Sequence, residues 1–200
     1  METFKNYKPE ARGSLSIWDI DETLFKTKAQ VHVMKGDRRV RSLSNQEFNT
    51  YQLAPGERHD FSDFRNASLF NTTSEPIKKA FDKAAAILRA YVNKPNSKMI
   101  VLTARSDFDN RDLFLSTFEK YGLDMSHVYV ERAGNLAGMR AAEAKRLIVD
   151  KYLSSGKYKK VSLFDDDKRN LDLFLSLQSK YTDISFEAYL ADHGVMKRYR

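Results

Sequence analysis

The sequence predicts an α/β fold, and two features of its 200 residues lead to this prediction. Short apolar runs typical of buried strands occur at residues 14–20, 98–102, 128–130 and 161–164, with apolar stripes at helical spacing between the later ones. Several of these runs stop at acidic or hydroxyl side chains. Ligands of open α/β sheets bind beyond the carboxyl ends of the strands, so a functional site is expected at these strand ends.

The composition is that of one globular domain with room for a small insertion. Apolar residues make up 42% and charged residues 30%, which is ordinary for a chain with a buried core. The lack of cysteine excludes disulfides and thiolate metal sites and fits a reducing compartment. Residues 1–9 lack the apolar core of a signal peptide, and no apolar stretch reaches the length of a membrane span. We therefore expect a cytoplasmic protein with no membrane partner and no obligate protein partner.

Basic residues exceed acidic residues. There are 34 Lys and Arg against 27 Asp and Glu, which gives a formal net charge of +7 and a field that attracts polyanions. The alternative is that this excess only aids solubility, because the basic residues are scattered along the chain. The densest basic stretch, residues 197–200, is expected to be a frayed and solvated tail.

The most informative stretch is residues 14–25, where an apolar run is followed by Asp19, Asp21 and Glu22. Three acidic side chains within four residues repel one another, so they either point into water or hold a cation. Their place at a strand end favours the cation. One metal ion can be met there by the side chain of Asp19 and the main chain of Asp21.

The pattern Asp19-x-Asp21-x-Thr23, followed by Leu24-Phe25, resembles the nucleophile motif of the haloacid dehalogenase (HAD) superfamily. The resemblance implies that Asp19 attacks phosphorus to form an aspartyl phosphate, and that Asp21 protonates the leaving alcohol and then activates water. It also implies that Thr23 helps to bind substrate. Family dehalogenases lack the second Asp and the ion-pumping ATPases carry Thr, so Asp21 favours transfer of phosphate to water or another hydroxyl. For this motif alone, an acidic loop capping a strand is the alternative.

Residues 26–75 are predicted to form an insertion after the first strand. Alternating apolar residues around Gly36 are typical of a β-hairpin, and Ser44 with Glu47 forms a capping box that begins a short helix. Residues 54–73 are expected to be an ordered loop packed on its aromatic side chains. A β-hairpin flap follows the first strand of the HAD fold, so the resemblance implies a flap and a small cap that selects the substrate.

The next strand leads to a second candidate motif. Ser74 is expected to cap a helix over residues 77–92, and the strand at 98–102 then stops at Thr103. The resemblance implies that Thr103 holds phosphoryl oxygens. Its hydroxyl can equally cap the turn through a backbone hydrogen bond.

Arg105 follows this strand end, and its role is open. It either contacts the substrate phosphate or pairs with Asp107 or Asp109. Asp109 is also expected to cap the next helix, which Gly122 ends as a left-handed cap.

The third motif of the family is a Lys that neutralises the nucleophile and the transferring phosphate. A strand at residues 128–130 is followed by a helix at 141–153, and Lys145 on that helix is the candidate. Arg140 is the alternative, and a solvated helix face is the structural explanation for either residue.

The fourth motif follows the strand at residues 161–164. Three adjacent Asp at a strand end are costly without a cation, and Asp165-Asp166 with Asn170 resembles the acidic HAD motif that completes a Mg²⁺ site. The resemblance implies that Asp166 binds the metal, with Asp165 as its direct or indirect partner. Asp167 is expected to be the N-cap of the following helix.

Together these motifs span residues 14–190 and resemble a HAD-type phosphatase outside the insertion, so residues 1–200 are predicted to be a single HAD-like domain, with a fifth strand at 184–190. The implied fold is a HAD-like doubly wound parallel sheet, Rossmann-like, with helices on both faces and the flap and cap inserted at 26–75. The implied cofactor is Mg²⁺, because every candidate ligand is an oxygen. For Asp21 to act as an acid, its pKa has to be raised in a partly closed pocket.

The leading functional hypothesis is a Mg²⁺-dependent phosphomonoesterase for a nucleotide or a nucleic-acid end. The positive field favours polyanions, and Tyr51, Phe61 and Phe64 of the insertion are candidates for stacking a base. This reading is similar to the phosphatase half of polynucleotide kinase-phosphatases. A phosphatase for a small metabolite is the second hypothesis, and a HAD-fold binding module without turnover is the third.

Overall fold

The structure is a computed structural model that describes residues 11–48, 50–136, 138–192 and 194–200. Residues 1–9, for which no signal peptide is expected, lie outside these ranges. The strands are β1 (Gly13–Trp18), β2 (Phe25–Lys26), β3 (Val31–Lys35), β4 (Arg38–Leu43), β5 (Glu57–Asp60), β6 (Glu75–Pro76), β7 (Lys98–Thr103), β8 (Val128–Arg132), β9 (Tyr158–Asp165), β10 (Ser185–Asp192) and β11 (Val195–Tyr199). The α-helices are α1 (Asn45–Phe48), α2 (Ala67–Thr73), α3 (Lys78–Val92), α4 (Arg111–Glu119), α5 (Ala141–Leu153) and α6 (Lys168–Leu175). Within the described ranges, no helix is long and apolar enough to cross a membrane.

Six strands form a mostly parallel central sheet in the order β11-β10-β9-β1-β7-β8. β1 lies in the middle and pairs in parallel with β7 on one side and β9 on the other. In register, Trp18 at the end of β1 lies opposite Val101 of β7 and Phe164 of β9. The predicted α/β class is confirmed, and the arrangement is compatible with a Rossmann-like fold. The predicted parallel sheet is mostly parallel, because β11 pairs antiparallel with β10.

Helices cover both faces of this sheet, so β1 buries side chains on both of its sides. Leu15 and Ile17 pack on one face in a core that includes residues of α5 and α6. Trp18 packs on the opposite face with residues of α3 and α4. Alternate side chains of a strand point to opposite faces, so a central strand that is covered on both faces is mostly apolar. The buried Ser16 of β1 accepts a hydrogen bond from Trp18 Nε1 at 2.8 Å.

Between β2 and β6, the strands β3, β4 and β5 form a separate small sheet with its own apolar core, whereas α2 packs in the core of the main sheet. β2 and β6 pair with each other, so the chain leaves and rejoins the main fold at one point. Between them, β3 pairs with β4 and β5, and the predicted hairpin turns at Gly36, whose φ is +56°. His32, which is buried, hydrogen bonds through its two ring nitrogens to Ser42 at 2.9 Å and Asp63 at 3.0 Å. The predicted capping box also forms, with the Ser44 amide donating to Glu47 at 2.8 Å.

Two local predictions about this insertion and the next helix are wrong. The expected loop at 54–73 contains β5 and α2, because its aromatic side chains pack against the small sheet and α4. Ser74 does not cap α3. Glu75 and Pro76 pair with β2 instead, and the helix begins only at Lys78, after Ile77.

Two further predictions are wrong because tertiary partners compete with local patterns. Asn110, and not Asp109, caps α4 by accepting a hydrogen bond from the amide of Leu113 at 3.0 Å. The basic stretch at 197–200 is not a frayed tail, since most of it belongs to β11, which pairs antiparallel with β10. Tyr199 also donates a hydrogen bond to Asp172 at 2.9 Å.

We predict that Gly13→Ala destabilises the protein by about 1–3 kcal/mol, the usual cost of overpacking. A methyl group at Gly13 would lie 2.1 Å from the carbonyl carbon and oxygen of Asn96, so β1 or the turn before β7 would have to shift. Urea unfolding measures the loss. Gly36→Ala is the control for crowding, because a methyl there meets nothing within 4 Å and only its positive φ counts. A Gly13→Ala protein as stable as the native one would contradict this packing.

Candidate functional site

The candidate site lies at the carboxyl ends of three adjacent strands. Asp19 directly follows β1, and its amide donates a hydrogen bond to the carbonyl oxygen of Phe164 at 3.0 Å. Asp165 ends β9 and Thr103 ends β7. Because these strands are neighbours and run in parallel, the structure brings the three predicted residues to one edge of the sheet.

Lys145 connects two of the acidic side chains. Its Nζ donates to Asp19 Oδ1 at 2.7 Å and to Asp165 Oδ2 at 2.8 Å, and the residue is 4% exposed. Burial on its own would lower the pKa of Lys145, but the charges of Asp165 and Asp19 raise it well above its ordinary value. Arg140, the alternative candidate, is exposed at the N-terminal end of α5. Of the two, Lys145 is the cation that contacts the acidic residues.

Asp19, Asp165 and Asp166 form a compact acidic cluster. One carboxylate oxygen from each lies within 4.8 Å of the others. Burial raises the pKa of Asp19; Lys145 lowers it, but repulsion from the other carboxylates adds to burial and leaves it well above its ordinary value. Loss of hydration and repulsion from Asp165 raise the pKa of Asp166 to about 7, although that residue keeps contact with solvent. When all three carboxyl groups are ionised, the cluster carries more negative charge than Lys145 balances.

The consecutive acids of the fourth motif have different environments. Asp165 is fully buried, and its Oδ1 accepts hydrogen bonds from the amide of Asp167 at 2.9 Å and from Nδ2 of Asn170 at 2.8 Å. Asp166 is exposed at the edge of the sheet. The side chain of Asp167 accepts from the amide of Arg169 at 2.8 Å, so Asp167 is the predicted N-cap of α6. Asp165 is thus an anchored ligand candidate and Asp166 an accessible one.

Asp21 lies on the other side of the site and has a cation of its own. Arg105 donates to both carboxylate oxygens of Asp21, from Nε at 2.9 Å and from Nη2 at 2.6 Å, and the Thr27 hydroxyl donates at 2.5 Å. Burial would raise the pKa of Asp21, but the Arg105 charge and these hydrogen bonds lower it below its ordinary value. The expected raised pKa of Asp21 is therefore wrong for this arrangement, because it took no account of Arg105.

The residues present fit a divalent cation. The site has four formal negative charges and two positive ones. The negative charges are those of Asp19, Asp21, Asp165 and Asp166, and the positive charges are those of Lys145 and Arg105. Two negative charges are left, all on oxygen donors, which are the ligands that Mg²⁺ and Ca²⁺ prefer. Asp19, Asp165 and Asp166 would hold such an ion through their side chains, and a metal would reduce the repulsion that raises the pKa values there.

Arg105 has partners that differ from the expected ones. The predicted pairing with Asp107 or Asp109 is wrong, because Asp107 pairs with Arg132 at 3.2 Å and Asp109 accepts from the amide of Ala67 at 2.9 Å. Arg105 is 3% exposed and binds Asp21 instead. That Arg105 contacts substrate stays a prediction.

Thr103 and Thr23, the predicted hydroxyl groups, are both fully buried. Thr103 Oγ1 accepts a hydrogen bond from the amide of Arg105 at 3.1 Å, which is the turn-capping alternative, and its proton can still be donated. Thr23 Oγ1 has no hydrogen-bond partner among the described residues. A buried hydroxyl without a partner is costly, so the Thr23 hydroxyl is available to form a hydrogen bond with a ligand.

The three aromatic candidates of the insertion have unequal access to solvent. Phe61 is 46% exposed and lies beside Phe48 and Phe64, with ring centroids 5.6 and 6.4 Å away. Phe64 packs against Arg105, whose Cζ lies 4.8 Å from the ring centroid. Tyr51 donates its hydroxyl to Glu57 at 2.9 Å. Phe61 is therefore the one of the three that offers a stacking surface.

Two contacts in the site have no signature in the sequence. One is the hydrogen bond that the Thr27 hydroxyl donates to Asp21. The other is the hydrogen bond that the carbonyl oxygen of Phe64 accepts from Arg105 Nη1 at 3.2 Å. Both residues belong to the insertion, and Phe64 is distant from Arg105 in the sequence. The signal that comes nearest is the number of Phe residues between 61 and 70, which suggests packing but not its partner.

The acidic cluster does not lie in the groove beside β8. A groove of about 670 Å³ lies between β8 and α5, lined by residues that include Glu131, Arg132 and Leu147, and it shares no lining residue with the acidic cluster.

No protein-family model, curated protein or solved structure matches the chain. The assignment of function therefore depends on the chemistry of the strand ends.

We predict that Asp166→Ala weakens Mg²⁺ binding more than Asp165→Ala does. Asp166 is the accessible acid, whereas the loss of Asp165 removes partners of Lys145 and Asn170 and should first lower the melting temperature. The measurement is the rise in melting temperature with added Mg²⁺. Asp167→Ala is the matched control, since it removes a helix cap worth about 1 kcal/mol and should keep the metal response. The reverse ranking of Asp165 and Asp166 would mean that the ligands are assigned one residue out of place.

Proposed function

We propose that the protein is a Mg²⁺-dependent phosphomonoester hydrolase of the HAD type that works through an aspartyl phosphate on Asp19. The observation that carries the proposal is the contact of Lys145 with both Asp19 and Asp165 at adjacent strand ends. A Lys between a candidate nucleophile and a candidate metal ligand is what phosphoryl transfer needs, because the transferred group is itself anionic. The HAD-like form of the α/β fold, with the insertion as flap and cap, belongs to the same proposal.

In the first step, a carboxylate oxygen of Asp19 attacks phosphorus and the bond from phosphorus to the ester oxygen breaks. The electron pair of that bond goes to the leaving oxygen, which takes a proton from Asp21 and departs as an alcohol. The product on the enzyme is a mixed anhydride of Asp19 and phosphate. A carboxylate suits this role because it is ionised at neutral pH once a bound cation offsets the repulsion that raises the pKa of Asp19, and because its phosphoanhydride is open to attack by water.

In the second step, water attacks the phosphorus of the aspartyl phosphate, Asp21 accepts the proton, and Asp19 is released with inorganic phosphate. The pair with Arg105 suits Asp21 to this base role, because it favours the ionised carboxylate. The acid role in the first step requires a shift in the other direction. An arriving phosphate dianion supplies it, since a nearby like charge raises the pKa of a carboxyl group.

The remaining groups stabilise charge on the phosphoryl oxygens. A bound divalent cation would screen the phosphate from the carboxylates and polarise its oxygens. Lys145 supplies a fixed positive charge in a buried position, where it acts without reorganisation. The hydroxyl of Thr103 and the buried hydroxyl of Thr23 are the proposed hydrogen-bond donors to substrate.

For the substrate we propose a nucleotide or the terminal phosphate of a nucleic acid. The net charge of +7 favours a polyanion, and the hairpin of the insertion exposes Arg38, Arg39 and Arg41. Exposed Phe61 offers a flat apolar surface on the same insertion, and aromatic rings of this kind stack bases with little regard to sequence. A small phosphorylated metabolite would use neither feature.

Asp19→Asn should abolish turnover and leave the protein folded. An amide is nearly isosteric with the carboxylate but a poor nucleophile, so we expect a loss of roughly 10⁴-fold or more in kcat. Lys145 keeps its contact with Asp165, which supports the fold. Hydrolysis of phosphomonoesters is measured with Mg²⁺ present, and Asp112→Asn, at a highly exposed aspartate, is the control. Native rates in folded Asp19→Asn would rule out the aspartyl-phosphate mechanism.

The substrate class has its own test. If the insertion binds nucleic acid, kcat/KM for a 3′-phosphorylated oligonucleotide should exceed that for the matching nucleoside monophosphate, and this advantage should shrink as salt rises, because each neutralised phosphate releases counterions. Phe61→Ala should weaken oligonucleotide binding by roughly 1–3 kcal/mol, the value of one stacked base. Tyr129→Ala removes an aromatic residue of β8 that is also exposed, at 57%, and should leave oligonucleotide binding unchanged. Equal efficiency on both substrates at every salt concentration would favour a small metabolite.

A further inference from the structure

The loop after β7 joins the insertion to the candidate site. Arg105 Nη1 donates to the carbonyl oxygen of Phe64 at 3.2 Å, and the next carbonyl, that of Arg65, accepts from the amide of Asp109 at 2.9 Å. The amide of Ala67 donates to Asp109 Oδ1 at 2.9 Å. Three hydrogen bonds thus seat this short segment of the insertion on the loop that carries Arg105.

The other end of the Arg105 side chain fixes Asp21. Nε and Nη2 each donate to a different oxygen of the Asp21 carboxylate, so the planar guanidinium sets both the position and the rotation of that group. Its Cζ also lies 4.8 Å from the ring centroid of Phe64, 5.2 Å from that of Phe70 and 5.6 Å from that of Phe108.

These rings leave the Arg105 side chain only 1% exposed. A guanidinium enclosed by aromatic rings has little freedom to move, and it gives up a favourable cation–π contact if it does. Two of the enclosing rings, Phe64 and Phe70, belong to the insertion, whereas Phe108 lies in the loop after β7. The insertion therefore forms part of the wall that holds Arg105 against Asp21.

We infer that Arg105 is a positioning residue that couples the seating of the insertion to the placement of the Asp21 carboxylate. This inference rests on the proposed function, in which Asp21 moves the proton of the leaving group. With the insertion seated, Arg105 is held by the Phe64 carbonyl and rings, and Asp21 is held by Arg105. If the insertion lifts, Arg105 loses these contacts and the carboxylate loses its fixed position. Proton transfer is then efficient only when the insertion covers the site.

The rival role for Arg105 is direct contact with the substrate phosphate. The two roles differ in what they predict for the leaving group. A phosphate ligand matters equally for every ester, whereas a residue that places Asp21 matters most when the leaving oxygen needs a proton. A nitrophenolate leaves without one, but a simple alkoxide does not.

Amide hydrogen exchange tests the coupling without turnover. Asp21→Asn should speed exchange of the amides in 64–67 by about tenfold or more, as expected when Arg105 loses a hydrogen bond to a charged group. Asp19→Asn is the matched control, because Asp19 pairs with Lys145 and should leave that segment unchanged. Amides of β1 and β7 serve as the reference for global stability. Equal exchange in both variants would overturn the coupling.

Kinetics distinguish the positioning role from the rival role. Arg105→Lys should lower kcat for an alkyl phosphate ten- to a hundredfold more than for p-nitrophenyl phosphate, with KM little changed. This difference is part of the rate acceleration of roughly 10²–10⁴-fold that a general acid provides. Arg132→Lys, at the end of the neighbouring strand β8, is the control. Equal losses on both esters with a raised KM would overturn positioning in favour of phosphate binding.

The two arms separate failure of this inference from failure of the proposed function. If the native protein hydrolyses neither these esters nor the nucleoside monophosphate and oligonucleotide of the substrate test, the proposed function fails, and the exchange experiment alone decides whether Asp21 and the insertion are coupled. If Arg105→Lys does not fold, Phe64→Leu replaces it in the kinetic arm, because it removes one enclosing ring and keeps the guanidinium. An unchanged ratio of the two esters in folded Phe64→Leu would count against the coupling.

Discussion

The ion pairs of Lys145 are the interaction on which this site depends. β1 and β9 are adjacent parallel strands, so their carboxyl ends bring Asp19 and Asp165 together whatever else the chain does. Two buried carboxylates in contact would destabilise the fold, because neither is hydrated and each repels the other. Lys145 reaches them from α5 and donates to both. Removing this cation would leave an uncompensated pair of charges in the middle of the sheet.

A second buried cation divides the site into two halves. Lys145 belongs to the half that holds Asp19, Asp165 and Asp166, where negative charge remains in excess and a metal ion fits. Arg105 belongs to the half that holds Asp21, where the charges cancel. In the proposed reaction, the first half accepts the phosphoryl group and the second handles protons. The insertion contacts the second half through Arg105 and through Thr27, which gives substrate binding a route to proton transfer that does not disturb the metal ligands.

The fold and the acidic residues could be predicted because they are encoded locally. The apolar runs of β1 and β9 stop at acidic residues and that of β7 stops at Thr103, and parallel strands place such ends together. The choice between Lys145 and Arg140 could not be made in this way, because it depends on how far α5 reaches across the sheet. Ser74 and Asp109 show the opposite error. Each has a good local capping pattern. However, the pairing of β2 with β6 places the start of α3 after Ser74, and the side chain of Asp109 binds the amide of Ala67 in the insertion instead of capping α4.

Chemical trapping of the intermediate tests the central claim most directly. An aspartyl phosphate is an acyl phosphate, which borohydride reduces to an alcohol, whereas a free carboxylate is inert to it. The protein is incubated with Mg²⁺ and a phosphomonoester, quenched with borohydride, and digested for mass spectrometry. The account predicts conversion of Asp19 to homoserine that depends on both substrate and Mg²⁺, with Asp21 unmodified. Turnover of the ester without any modification at Asp19, or with modification at Asp21 instead, would contradict it.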